Sequence, residues 1–224
     1  MPLTIAMDGP VGAGKSTIAD VVARRLGILH LDTGAMYRAV GLSALRRGVR
    51  MDDEAALTAL CEALRVTVAC TPEGQHTFVD GEDVTGLIRT EEVSMATSTV
   101  SKVPGVRAAM VRLQRQLAAE TPMLLDGRDI GTRVLPDAPV KIYLTADARE
   151  RARRRYEQLR EKGAEADFEQ VLADLRRRDE QDMNRAVDPL RPAEDAVIVD
   201  TTGLTFEESV EKILSVVKER TEHE

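Results

Sequence analysis

The chain reads as an α/β fold, with helices layered on a central parallel sheet of about five strands. Three observations predict it. Five short apolar runs, Leu3–Met7, Ile28–Leu31, Met123–Asp126, Val140–Leu144 and Ala196–Asp200, have the length and character of buried parallel strands. Helical patterns separate or follow them, the alternation expected of right-handed crossovers between parallel strands. A glycine-rich octapeptide, Gly9-Pro10-Val11-Gly12-Ala13-Gly14-Lys15-Ser16, joins the first strand to the first helix.

The elements follow in order. After the octapeptide, Ile18, Ala19, Val21, Val22 and Leu26 recur at helical spacing over Lys15–Leu26, and Gly27 is placed to end that helix. Further helical patterns cover Ala35–Arg47, Glu54–Arg65, Glu91–Val100, Val106–Glu120, Arg149–Lys162, Phe168–Ala186 and Phe206–Arg220. Thr205 with Glu208 three residues on is a capping-box signature for the last of them. Between the second and third core strands the pattern changes. Val66–Cys70 and Thr77–Val79 alternate like exposed strands, Asp80-Gly81 signals a tight turn, and Val84 and Ile88 follow, so a small antiparallel patch is predicted there. Gly163–Asp167 reads as a hinge-like loop between two charged helices.

The octapeptide is a complete phosphate-binding loop in its required strand–loop–helix setting. Its glycines let successive backbone N–H groups turn toward one anion, and the helix N-terminus adds partial positive charge. Gly9 to Ser16, with Thr17, are therefore expected to hold a nucleoside triphosphate. Lys15 is placed to reach the β/γ-phosphates and the Ser16 hydroxyl suits Mg²⁺.

A net charge of −7 argues against a general nucleic-acid surface. Positive charge is nonetheless clustered: five arginines lie within 149–155, and Arg176, Arg177 and Arg178 form a second group. Planar guanidinium forks bind phosphate oxygens bidentately, so these clusters suit small polyphosphates, whereas solvated helix faces explain many arginines singly. No apolar run approaches the roughly 18–20 residues of a bilayer span. No leader pattern opens the chain, and the two cysteines, Cys61 and Cys70, read as buried thiols. A cytoplasmic protein without membrane or nucleic-acid partners is expected, and nothing in the sequence demands more than a monomer.

Further segments carry chemistry. Asp32-Thr33-Gly34-Ala35-Met36-Tyr37-Arg38 follows the second strand, Val103–Arg107 opens a helix, and Asp126-Gly127-Arg128-Asp129-Ile130-Gly131-Thr132 leaves the third strand. The arginine-rich helix comes next, and Arg178-Asp179-Glu180-Gln181-Asp182-Met183-Asn184-Arg185 is placed on a late helix. In that order, behind G-x-x-x-x-G-K-S, these segments resemble the bacterial cytidylate kinases, end to end and including the antiparallel insertion. The resemblance implies a P-loop nucleoside monophosphate kinase fold in a single domain over 1–224. Its core would span about 1–32, 101–145 and 175–224, a monophosphate-binding insertion about 33–100, and a helical lid about 146–167. It implies transfer of the γ-phosphoryl of ATP to CMP or dCMP with Mg²⁺.

By position in the family, Arg38 is expected at the acceptor phosphate and Thr33, where relatives often carry Ser, at the base. Arg128 and Arg185 are expected near the acceptor phosphate or base, Arg107 and Asp129 at the cytosine edge, and Ser98, Arg178 and Asp182 at the ribose. Asp126, at a strand end, is placed to reach Mg²⁺ directly or through water. Arg154 and Arg155 are the first choices for lid arginines acting with Lys15, Arg128 and Arg185 in catalysis, with Arg151 or Arg153 as alternatives.

Independently of any family, a carboxylate accepts from the exocyclic amine of cytosine but meets only an oxygen in uracil, which gives Asp129 a reason to select CMP. The structural alternative is a pairing of Asp129 with Arg128 or Arg133, and Arg107 could instead anchor Asp129. A phosphate acceptor is already largely dianionic at neutral pH and needs no strong base. His30, His76 and His223 all fall outside the motifs. Kinases for UMP, dTMP, AMP or shikimate share the loop but not both D-G-R-D-I-G-T and R-D-x-x-D-x-N-R. A guanine-nucleotide switch would carry an N-K-x-D-like base reader, which is missing.

Overall fold

The computed structural model describes residues 2–71, 74–161 and 163–222. Expectations that touched Lys162 and His223 lie outside the described residues. In chain order the elements are β1 (Thr4–Asp8), α1 (Lys15–Leu26), β2 (Leu29–Asp32), α2 (Thr33–Arg46), α3 (Glu54–Ala63), β3 (Val66–Thr71) and β4 (Gly74–Val79). Then come β5 (Glu82–Asp83), α4 (Glu91–Val100), α5 (Pro104–Glu120), β6 (Met123–Gly127) and a π-helical turn at Ile130–Val134. The chain continues with β7 (Val140–Thr145), α6 (Ala148–Glu161), α7 (Phe168–Asn184), β8 (Val197–Asp200) and α8 (Phe206–Thr221). The fold is α/β as the alternation predicts: five parallel strands ordered β2-β6-β1-β7-β8, and a separate antiparallel sheet ordered β3-β4-β5. Ile5 lies opposite Val140 and Met7 opposite Ile142, while Tyr143 lies opposite Ile198.

Two compact units are present. The larger comprises Leu3–Ile28 and Leu124–Glu224. Its core closes on Ile5, Met7, Leu124, Ile142 and Leu144 from the strands, with Ile18, Val22, Val210, Ile213 and Val217 from α1 and α8. Each of these apolar side chains contributes on the order of 2 kcal/mol by leaving water. Arg25 of α1 grips Glu207 and Glu211 of α8 across the outer rim, where exposure leaves such pairs little net worth. The predicted capping box at Thr205 and Glu208 is formed.

The smaller unit is built around Leu29–Met123. Asp80 and Gly81 both take positive φ, 51° and 90°, as a two-residue hairpin turn demands, so β4 folds back onto β5. Helix α5 packs on α3 inside this unit. Gly105 makes that approach possible, because a Cβ there would sit 2.3 Å from Thr58 Cγ2.

Several boundaries differ from expectation for local reasons. Helix α2 begins at Thr33 instead of Ala35, because the Asp32 carboxylate accepts from the Ala35 N–H at 3.1 Å and caps it. Helix α3 stops at Ala63, short of Arg65, since Leu64 already has the extended backbone that feeds β3. Helix α5 starts two residues early, with Pro104 in its first turn. Helix α7 ends at Asn184, so Arg185 stands just beyond the helix in extended conformation. Cys61 is buried as expected, but Cys70 is only half-buried, its thiol directed at the His30 carbonyl.

Candidate nucleotide-binding site

The glycine loop runs from the end of β1 to the start of α1. Gly12 and Gly14 take the left-handed backbone, φ 75° and 84°, which aims consecutive N–H groups to one side. Gly9 has a different reason to lack a side chain: a Cβ there would lie 2.0 Å from the Leu144 carbonyl oxygen. Lys15 is buried and its ammonium donates to the Pro10 carbonyl at 2.8 Å. Burial drags its pKa down to about 7, helped by the nearby Arg128 charge and opposed by Asp126, Asp8 and Asp182. The Ser16 hydroxyl donates to Asp126 Oδ2 at 2.7 Å. The two residues singled out for magnesium are thus in contact, and both offer the hard oxygen donors that ion takes.

Val11, at the base of the loop, is held from two sides. Its N–H donates to Asp179 Oδ1 at 3.1 Å and its carbonyl accepts from Arg151 Nη1 at 2.7 Å. Arg151 and Asp179 also pair with each other at 2.7 Å, both nearly buried. Sequence reasoning missed Asp179 and left Arg151 as an alternative for the lid. Its side chain is instead committed to the loop and to the Ala146 carbonyl.

The segment after β6 gathers the next group. Arg128 Nε donates to Asp182 Oδ2 at 2.8 Å. Asp129 faces Arg185 at 3.2 Å, with both side chains buried, and Arg185 also donates to the Asp188 carbonyl. As the structural alternative to a base contact, Asp129 reads in the sequence as pairing with Arg128 or Arg133, or as anchored by Arg107. Arg128 holds Asp182 instead, and the Arg133 guanidinium lies 3.6 Å from Asp188. Arg178 is half-buried on α7, one turn ahead of Asp182.

A residue that sequence reasoning passed over sits beneath this segment. The Asp8 carboxylate, 3 % exposed, accepts from the N–H groups of Ile130 at 2.7 Å and Gly131 at 2.8 Å. Burial lifts its pKa to about 6, against those two amides, which pull it down; the Asp129 charge adds to the rise and Lys15 opposes it. The only signal in the sequence was a carboxylate closing an otherwise apolar strand.

The remaining acceptor-side candidates belong to the smaller unit. Thr33 is buried in the first turn of α2, and Arg38, one turn on, lies 3.6 Å from Asp32. Gln75 of β4 braces Asp32 from the antiparallel sheet: its carbonyl oxygen accepts from the Asp32 N–H at 2.7 Å and its amide donates to the Asp32 carbonyl at 3.2 Å. Ser98 is half-buried on α4, its hydroxyl donating to the Ser94 carbonyl. Arg107 is 2 % exposed, donates to the Ser101 carbonyl, and stacks its guanidinium 5.7 Å from the Tyr37 ring centre.

On α6 the arginines divide by environment. Arg153 is exposed and paired with Glu150. Arg154 also reaches Glu150, and donates to the Thr201 carbonyl at 2.9 Å. Arg155 is exposed, with no hydrogen bond or ion pair among the described residues.

A left-handed glycine loop, its buried lysine and a strand-end aspartate on the loop serine, set on a parallel α/β sheet, define a P-loop kinase fold. The family model for cytidylate kinase matches residues 5–219. A cytidylate kinase from Bacillus licheniformis is 48% identical over 219 residues, 97% of each chain, and one from Symbiobacterium thermophilum is 51% identical over 213 residues, 95% of this chain and 94% of its own. The chain belongs to the cytidylate kinase family. Its fold is also shared with a shikimate kinase from Bacteroides thetaiotaomicron at a TM-score of 0.50 and 12% identity, covering 96% of this chain and 98% of that one. Among the described residues no helix is long and apolar enough to cross a membrane.

Proposed function

We infer that the protein is a nucleoside monophosphate kinase that transfers the γ-phosphoryl of ATP to CMP or dCMP, giving CDP or dCDP and ADP. The observation that carries this reading is the proximity in one unit of two charge systems. One is the Lys15 loop with Asp126, and the other is the Arg128–Asp182 and Asp129–Arg185 pairs that flank it in the family motifs.

We propose that Gly9 to Thr17 bind ATP, with Lys15 on the β/γ-phosphates. Ser16 and Asp126 would hold Mg²⁺ arriving with the triphosphate, and their contact at 2.7 Å supports that assignment. The ion supplies charge neutralisation on the phosphate oxygens when bound. Arg38, Arg128 and Arg185 take the acceptor phosphate. Thr33, Arg107 and Asp129 take the cytosine, and Ser98, Arg178 and Asp182 the ribose. Arg38, Arg107, Arg128 and Arg185 are already paired to a carboxylate or carbonyl, so their forks are pre-oriented and little rotamer entropy is lost on capture of phosphate.

The reaction needs two polyanions aligned and spread negative charge stabilised, without a general base. Arg154 and Arg155 of the proposed lid close over the transferring group. Arg155 is exposed and unengaged among the described residues, and Arg154 must leave Thr201 to take part. Assembly only when both substrates are present would suppress transfer to water. We place the enzyme in the cytoplasm as a monomer, which light scattering on the purified chain tests.

The deciding experiment is a coupled assay with magnesium-bound ATP against CMP, dCMP, UMP, dTMP and AMP. Turnover is expected to be fastest with CMP and dCMP. Absence of CDP formation by folded protein would overturn the reading.

A further inference from the structure

A short helical turn that begins with an aspartate usually caps itself, the side chain folding back onto the first free N–H groups. The π-helical turn Ile130–Val134 does not. Asp129 stands at its N-cap position yet makes no side-chain cap bond. The first two amides of the turn are taken instead by Asp8, from a strand more than a hundred residues earlier, at 2.7 and 2.8 Å. The Asp129 carboxylate is turned toward Arg185 at 3.2 Å. π-Helical turns are rare and concentrate at functional sites, and buried backbone N–H groups must find an acceptor.

We propose that Asp8 is a positioning residue for base selection: by capping the turn from outside, it keeps the Asp129 carboxylate from capping it and holds that carboxylate available to the nucleobase. The proposal rests on the reading that Asp129 meets the cytosine edge. Asp8 touches no substrate itself. It closes β1 immediately before Gly9, while Ile130 directly follows Asp129, so one side chain ties the root of the donor loop to the base-reading segment. At Gly131 there is little room for slack: a Cβ there would lie 3.4 Å from Asp8 Oδ2 and 3.4 Å from Lys141 Cδ. Burial of the Asp8 carboxylate, which lifts its pKa, agrees with a group retained for its two bonds despite the cost of desolvation.

Asp8→Asn offers one acceptor where two are needed and turns an N–H₂ toward the second amide. The orphaned N–H is then left for Asp129, the turn's own N-cap residue, to accept from. The test measures kcat/KM for CMP and UMP, and KM for ATP, in the parent, Asp8→Asn, Asp8→Ser and Asp129→Asn proteins, with thermal unfolding of each. Asp8→Ser removes bulk as well as charge and serves if Asn crowds the site. The expected result is a CMP/UMP ratio lowered about tenfold or more in the Asp8 variants, with KM for ATP within about twofold of the parent. A merely structural role would lower both substrates together and leave the ratio intact, which overturns the proposal. If Asp129→Asn narrows the ratio and the Asp8 variants do not, Asp8 has no part in selection. If Asp129→Asn itself leaves the ratio unchanged, the base reader lies elsewhere and the premise fails first. A crystal structure of Asp8→Asn is expected to show the Asp129 carboxylate bonded to the Gly131 N–H, as an N-cap side chain bonds, and an unmoved Asp129 counts against the proposal.

Discussion

The phosphate loop and the turn at Ile130–Val134 are both tight backbone structures that present N–H groups, yet they are made in opposite ways. Gly12 and Gly14 write the loop's left-handed turns into the residues that form it; what comes from afar is the clearance of Leu144 by Gly9 and the bonds of Asp179 and Arg151 to Val11. The turn has no such local code. Its amides are held by Asp8, a residue remote in sequence, and its aspartate is directed to Arg185, which stands beyond the end of a helix more than fifty residues later. A turn coded in its own residues leans less on distant ones, whereas a relayed one can be undone from outside.

The largest effect separating the two is expected in the loop. Lys15→Ala removes a buried ammonium that no neighbour can replace, and kcat should fall by about 10³ or more while the protein stays folded. Thermal unfolding and steady-state turnover measure both, and near-normal kcat would exclude the proposed donor site.

Next is a pH effect confined to the relayed side. The Asp8 pKa in the folded protein, about 6, lies above its ordinary value of 3.8. Between these the folded state holds a proton that the unfolded state has lost, so this group's contribution to stability is greatest below pH 3.8 and declines as pH rises to about 6. The stability of the parent relative to Asp8→Asn should therefore decline by roughly 3 kcal/mol across that window. Urea unfolding of both proteins at several pH values checks the slope, and a flat difference would show that Asp8 is not perturbed.

Smaller again is Asp182→Ala, expected to lower kcat/KM for CMP about tenfold and for dCMP less, because a ribose contact depends on the 2′-hydroxyl. Since Asp182 also anchors Arg128, equal losses on both nucleotides would assign the whole effect to that pair. The mildest is Gln75→Leu in the smaller unit. It releases both backbone bonds to Asp32, the cap of the helix bearing Thr33 and Arg38. KM for CMP should rise about threefold with KM for ATP unchanged. An unchanged KM for CMP would leave the antiparallel sheet without a part in acceptor binding.

Legibility followed the same division. The five core strands were found to within one residue at each end, because an apolar run of that length between turn residues has few other uses. The loop, the capping box at Thr205 and the Asp80-Gly81 turn were legible since their residue types are demanded by local backbone geometry. Arg151 was not, because five arginines in one helical stretch look alike until Asp179 and the Val11 carbonyl bury one of them. For Asp129 the sequence offered Arg107, Arg128 and Arg133, and the fold also brings Arg185 to it from far along the chain.

From residues alone came the layer architecture, the phosphate loop and the set of charged groups that chemistry on nucleotides would use, all of which depend on spacing and side-chain type. The folded chain alone settled how those charges are shared out: which arginine supports the loop, which stays exposed, and which carboxylate caps a turn so that another can face its partner. Pairing of that kind is a competition among several similar groups, and three-dimensional distance and burial, not sequence separation, choose the winner.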